Sequence, residues 1–182
     1  MPSRSRISPS RPRPVPRKPP RALSHVGADG AAHMVDVSAK AVTRRTAVAR
    51  GRIVVAPAAM RLARAGRLPK GAVEEVARLA GVLAAKRTAD AIPLCHPIAL
   101  EHVEIVLRPR RDGFEIEASV VAVGRTGAEM EALHAVALAG LTVYDMMKAA
   151  DRGMVLTDVR LVRKTGGARG DYEAPARKGR RS

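Results

Sequence analysis

The sequence predicts an α+β fold, an antiparallel four-stranded sheet with helices packed on one face. Three observations carry that prediction. Two stretches of alternating apolar residues are joined at Asp112-Gly113, a dipeptide that favours tight hairpin turns. Helical periodicity marks one segment before this hairpin and a longer one after it. A β-rich run precedes the first helical segment, and another follows the last. The order is therefore strand, helix pair, strand, strand, helix, strand.

Each element has a local cause. Ala47 to Val55 reads as the first strand, because Val48, Ile53, Val54 and Val55 favour extended backbone. Pro57 suits the first turn of a short helix over Ala58–Ala65, and Gly66 suits its end. A second helix follows Lys70-Gly71, with Val73, Val76, Ala80, Leu83 and Ala84 at helical spacing. Ala77, Gly81 and Ala85 are small enough there for close packing. Thr88 to Leu100 holds Pro93 and Pro97 and reads as a stiff connection. His102–Arg108 turns Val103, Ile105 and Leu107 inward; Phe114–Val123 does the same with Phe114, Ile116 and Ala118. Thr126 to Glu129 matches a capping box that opens a long helix to about Asp151, ended by Gly153. Met154–Arg163 reads as the last strand, before a Gly-rich segment over Thr165–Gly170. This order is that of the split βαβ, or ferredoxin-like, plait, a fold that hosts RNA binders, regulatory modules and enzymes alike.

The chain of 182 residues carries a net charge of +16, which first suggests a nucleic-acid partner. Location argues against it. Residues 1–22 hold six Arg, one Lys and no acid, residues 176–182 hold three Arg and one Lys, and the body keeps only +5. The tails, 1–22 and 174–182, are expected to be disordered, the first because seven prolines among Pro, Arg and Ser cannot bury apolar surface. Nucleic-acid binding by these arms is the less favoured reading, since only Phe114 of three aromatics lies on a predicted strand and RNA-binding sheets stack bases on aromatics. The front tail lacks the apolar stretch of a secretory signal, and no run approaches the ~20 apolar residues of a membrane span, so a cytoplasmic protein is expected. The one cysteine, Cys95, excludes an internal disulfide. No metal site is expected, because zinc takes three or four protein ligands and no other histidine is spaced to join His96.

Several side chains could carry chemistry. Leu94-Cys95-His96-Pro97 holds a thiol and an imidazole on a loop stiffened by Pro93 and Pro97. Asp145 and Lys148 stand at i, i+3 on one helix and can meet. Lys70 precedes a predicted helix start, beside the positive end of the helix dipole, where an acid would be the structural choice; a lysine there is solvated or meets an anion. Lys86-Arg87 ends its helix as favourable dipole charge. Glu129 has a structural task as the capping-box acid. Lys164-Thr165-Gly166-Gly167-Ala168-Arg169-Gly170 could form a backbone nest for phosphate.

These pieces gain meaning in combination. His33-Met34-Val35-Asp36-Val37-Ser38, Lys86-Arg87-Thr88, Ile92-Pro93-Leu94-Cys95-His96-Pro97, Glu129-Met130-Glu131-Ala132-Leu133, Tyr144-Asp145-Met146-Met147-Lys148 and Lys164-Thr165-Gly166-Gly167 occur in that order. The series closely resembles the cyclic pyranopterin monophosphate synthase family, the C protein of molybdenum cofactor biosynthesis, over about residues 23–173. The resemblance implies a homohexamer, a trimer of dimers, with sites near subunit interfaces. It implies a lyase that turns a cyclised dihydro-guanosine triphosphate into cyclic pyranopterin monophosphate and releases pyrophosphate. It implies Asp145, Lys148 and Lys70 as catalytic residues, and Leu94, Cys95, His96, Glu129, Met130, Lys86 and Lys164 as substrate-binding residues. No cofactor is implied as required, and Mg²⁺ carried with the triphosphate is left open. The chain departs from the family at Ala72, where an acid is usual, and at Ala168, where a basic residue often follows the two glycines.

Overall fold

The computed structural model describes residues 30–68, 70–168 and 170–175. The Arg-rich stretches 1–22 and 176–182, and Arg169 of the Gly-rich loop, lie outside the described residues. The described residues from Met34 onward form one unit.

Its centre is β1 (Thr43–Val54), which pairs antiparallel with β3 (Gly113–Gly124) along its whole length and with β4 (Val155–Thr165) on the other side. β2 (Leu100–Arg110) pairs antiparallel with β3 across the expected Asp112-Gly113 turn. One face of this sheet buries Ala47, Ala49 and Ile53 of β1, Ile105 and Leu107 of β2, and Phe114, Ile116, Ala118 and Val120 of β3. Alternation sends their neighbours, such as Arg50, Arg52, Glu115 and Glu117, to the opposite face. Two antiparallel-order helices cover the buried face: α2 (Val73–Lys86) and α4 (Glu129–Met147). α4 contributes Ala132, Ala135, Val136, Ala139, Val143, Met146 and Met147 to the core. It lies so close to β1 that a Cβ on Gly51 would come within 2.6 Å of Val136 Cγ1. Full burial of a side chain such as Phe114, Ile53 or Ile116 stabilises the fold by about 1.5–3 kcal/mol each.

Short helices complete the unit: α1 (Pro57–Arg64), with Pro57 in its first turn as expected, and α3 (Thr88–Ala91). α3 occupies the start of the connection that the prolines had marked as merely stiff. Its buried Thr88 donates its hydroxyl to Ala84 O at 3.0 Å, which turns the chain directly from α2 into α3.

The structure corrects four expectations. The sheet has five strands, not four, in the order β2-β3-β1-β4-β5. β5 (Tyr172–Glu173) is two residues long and pairs with Arg163 and Lys164 of β4. It forms because Gly166 and Gly167, at φ +82° and +86°, reverse the chain, and two residues carry no alternation to read. The capping box does not form: the N-cap of α4 is Ala128, without a side-chain cap, and Glu129 is engaged elsewhere. The helix ends at Met147 rather than near Asp151. Asp151 accepts the N–H of Ala56, the N-cap of α1, and of Gly153, both at 2.8 Å. Finally, α2 does not bury Val76 and Leu83. These and Leu79 are 43%, 52% and 65% exposed, while Val73, Ala77, Gly81, Ala84 and Ala85 face inward. The small residues win because Gly81 sits against Ile105 and the Ala135 carbonyl, where even a Cβ would come within 3.1–3.2 Å of them.

Candidate functional site

The sequence-predicted residues fall into two groups, one at each end of α4. At its C-terminal end Asp145 lies between two ammonium groups. Lys70 Nζ donates to Asp145 Oδ2 at 2.5 Å and to the Asp145 carbonyl at 3.2 Å, and Lys148 Nζ reaches Oδ1 at 2.7 Å. Lys70 arrives from the turn before α2, seventy-five residues away in sequence. It gets there because α2 and α4 pack side by side in opposite directions, so the start of one meets the end of the other. Lys148 is the C-cap of α4 and donates its N–H to Tyr144 O at 2.9 Å, next to carbonyls that favour a cation. All three side chains are about half exposed, at 48%, 52% and 53% for Lys70, Asp145 and Lys148. The two donors, Lys148 first and Lys70 second, hold the Asp145 carboxyl down at about 2. The result is an open, solvated cluster in which one carboxylate orients two amines.

The N-terminal end of α4 is drier. Glu129 pairs with Lys164 of β4 at 3.0 Å, with 28% and 22% of their side chains exposed. Met130 is 38% exposed. The loop carrying half-buried Leu94, Cys95 and His96 packs nearby: the Cys95 thiol donates to Glu131 Oε1 at 3.8 Å. Burial first, and the charge of Glu131 second, push that thiol up to about 11, so it is no ready nucleophile. His96 Nε2 donates to the Val35 carbonyl at 2.7 Å, which ties the loop to the segment before β1. Lys86 is the exposed last residue of α2, at this same end of the helix pair.

Three residues of this region escaped the sequence reading. Arg45 of β1 donates to Gly124 O at 3.0 Å and to Arg125 O at 3.1 Å. Its guanidinium lies against Gly167, where a Cβ would collide with it. Asp171 accepts the Gly166 N–H at 3.0 Å and closes the Gly-rich turn. Glu131 is 2% exposed. A signal was present: acids at i and i+2 of a helix point to different sides, and α4 turns one side toward the sheet. Of the two departures, Ala72 leaves α2 without a side-chain cap, and Glu74 and Glu75 supply first-turn negative charge instead; Ala168 is exposed.

The two groups are far apart within one chain. Glu129 and Asp145 are sixteen residues apart on α4, about 24 Å along its axis. Two surface hollows belong to neither group: one of about 460 Å³ among Arg50, Arg52, Arg108, Arg110 and Arg160, the other of about 450 Å³ between α2 and α4.

Comparison with known proteins gives this arrangement a family. The chain is 55% identical over 154 residues to the cyclic pyranopterin monophosphate synthase of Parvibaculum lavamentivorans, covering 84% of this chain and 96% of that one. It is 53% identical over 155 residues to the protein of that name from Chloroflexus aurantiacus (84% and 95% covered), and 53% over 150 residues to that of Streptomyces coelicolor (82% and 88%). Residues 34–167 match the MoaC family, a span that holds both ends of α4 and every candidate residue. With that much of the chain matched at such identity, the protein belongs to the MoaC family.

Proposed function

We propose that the chain is a cyclic pyranopterin monophosphate synthase of molybdenum cofactor biosynthesis. Its substrate is a cyclised dihydro-guanosine triphosphate, 3',8-cyclo-7,8-dihydro-GTP, and its products are cyclic pyranopterin monophosphate and pyrophosphate. One observation carries this reading beyond the family: Lys70 and Lys148, distant in sequence, meet at Asp145.

The chemistry needs groups that move protons while the purine five-membered ring opens and the pterin closes. It also needs cations where charge gathers on the departing pyrophosphate as a ribose-derived hydroxyl attacks the α-phosphorus. Asp145 and Lys148, with Lys70, are assigned the catalytic roles. The carboxylate stays ionised through the neutral range and holds both ammoniums toward solvent, ready to exchange one contact for a phosphate or a substrate proton. Leu94, Cys95, His96, Glu129, Met130, Lys86 and Lys164 are assigned to substrate binding. Mg²⁺, if the triphosphate brings it, enters with the substrate and not in a protein cage.

The catalytic groups must stand within about 3 Å of the atoms they serve, while the residues assigned to bind the same substrate lie ~24 Å away along α4 of one chain. The reading is therefore a composite site, the Asp145 end of one protomer facing the Glu129 end of a second, within a homohexamer built as a trimer of dimers. The exposed Val76, Leu79 and Leu83 of α2 and Leu141 of α4 support an interface with another copy, since such apolar stripes are rarely left in water. The strand order β2-β3-β1-β4 supports the finer fold reading, a ferredoxin-like plait extended by β5. Among the described residues no helix is long and apolar enough to cross a membrane, and a cytoplasmic location fits the pathway.

The test supplies the purified chain with the product of the upstream radical enzyme and measures pterin fluorescence after oxidation. Turnover is expected; Lys70→Ala, Asp145→Ala and Lys148→Ala are expected to remain folded oligomers without it. Mixing inactive Asp145→Ala chains with binding-impaired Glu129→Ala chains, at substrate well below the raised KM, tests the composite site. Random reassortment of dimers restores about a quarter of the sites, whereas sites contained in one chain restore none.

A further inference from the structure

The open face of the sheet, turned away from α2 and α4, carries side chains that the proposed reaction does not use. Arg50 and Arg52 of β1, Arg108 and Arg110 of β2 and Arg160 of β4 surround the hollow of about 460 Å³. Three carboxylates, Glu115, Glu117 and Asp158, share its lining, so positive charge is in excess. The acids hold guanidiniums in place. Glu117 joins Arg50 at 2.5 Å to Arg108 at 3.5 Å, and Glu115 holds Arg110 at 2.7 Å. Asp112 in the neighbouring turn holds Arg52 at 2.5 Å.

Two features go against a purely structural ion ladder. Arg50 and Arg160 are direct partners across β1 and β4, and like charges directly opposite destabilise a sheet. Glu117 answers Arg50 from the β3 side, whereas half-buried Arg160 has no hydrogen bond or ion pair among the described residues. Arg52 is also incompletely satisfied: its Nε is buried without a partner among the described residues. The hollow itself comes from a bulge. Asp158 and Val159 both stand opposite Gly51, and Asp158 takes φ +59°. Such bulges bend a strand and re-aim its side chains.

We propose that this hollow is a second anion site, which seats a polyphosphate chain between Arg50 and Arg160 with Arg108 and Arg110 completing the cradle. Guanidinium forks pair with phosphate oxygens two at a time. Forks already held by carboxylates lose little freedom on binding. Five cations suit a di- or triphosphate group better than a single phosphate. An extended nucleic-acid backbone is disfavoured, because the carboxylates interrupt the positive track and no aromatic lines the hollow. The polyphosphate comes either as free pyrophosphate or on a nucleoside.

Calorimetric titration of the full chain with pyrophosphate and with ATP tests this, at low salt because exposed charges are screened. Chains carrying Lys70→Ala and Lys148→Ala, which lack the catalytic amines, are expected to retain one pyrophosphate per protomer. Adding Arg160→Gln or Arg108→Gln is expected to weaken that binding about tenfold. Arg160→Gln alone is expected to keep full turnover and, without ligand, to melt above the wild type, since the repulsion across β1 and β4 is gone. Tighter binding of ATP assigns the nucleoside form and tighter binding of pyrophosphate the free form; either supports the site. No binding in the chain without the catalytic amines overturns the proposal, as does an affinity unchanged by both arginine variants. Turnover lost together with binding in a folded Arg160→Gln oligomer also overturns it, because the hollow is then part of the catalytic site. A wild type without turnover sinks only the proposed reaction, since the titrations do not depend on it.

Discussion

The two ends of α4 treat the same chemical group in opposite ways. At the C-terminal end Asp145 is half exposed and held by two lysines, and its carboxyl falls to about 2. At the N-terminal end Glu131 is sealed from water, with a thiol as its donor and a second carboxylate beside it, and its carboxyl rises to about 6. Hydrogen bonding to the charged form dominates the first case and desolvation the second. One helix thus presents a solvated ion cluster at one end and a buried acid whose pKa is raised by desolvation at the other. The first suits groups that meet phosphate and shuttle protons in solvent. The second meets the Leu94–His96 loop through the Cys95 thiol.

This contrast can be broken in graded ways. The largest effect is expected at the ionic end: Asp145→Ala separates both amines from their shared carboxylate and should lower turnover by about 10³-fold or more, read by product formation on a folded oligomer. Glu129→Gln at the other end removes the partner of Lys164 and should mainly raise KM, by about tenfold, with a smaller change in kcat. A third effect appears in stability against pH. The Asp145 pairing supports the fold above the ordinary value of 3.8 and is lost as pH falls through about 2, whereas Glu131 supports it at low pH and loses that support as pH rises through about 6. Thermal melting of Glu131→Gln should therefore gain on the wild type as pH rises from about 5 to about 8. The smallest effect lies just past the ionic end. Asp151→Ala removes the side chain that caps Ala56 and α1 and should cost about 1 kcal/mol in denaturant unfolding, with the lysine cluster and turnover retained.

Much of this molecule could be read along the chain because local rules and tertiary structure agree there. Val103, Ile105 and Leu107 alternate, the sheet has one dry face, and those residues face or border it. Asp112-Gly113 turns as a hairpin because little else competes for four residues of backbone. The reading failed where two interactions competed for one group. Glu129 could cap α4 or meet Lys164, and the lysine prevailed. Val76 and Leu83 could fill the core, but the small side chains of α2 allowed a closer approach to α4 and left them outside.

The pattern of residue types was sufficient for the fold class, the spacing of Asp145 and Lys148, and the family, since each depends on neighbours within a few turns or on the order of short motifs. The arrival of Lys70 at Asp145, the sealing of Glu131 and the ~24 Å between the half-sites depend on how α2 lies against α4 and on where water is excluded. Those are properties of packing between distant segments, and no window along the chain contains them.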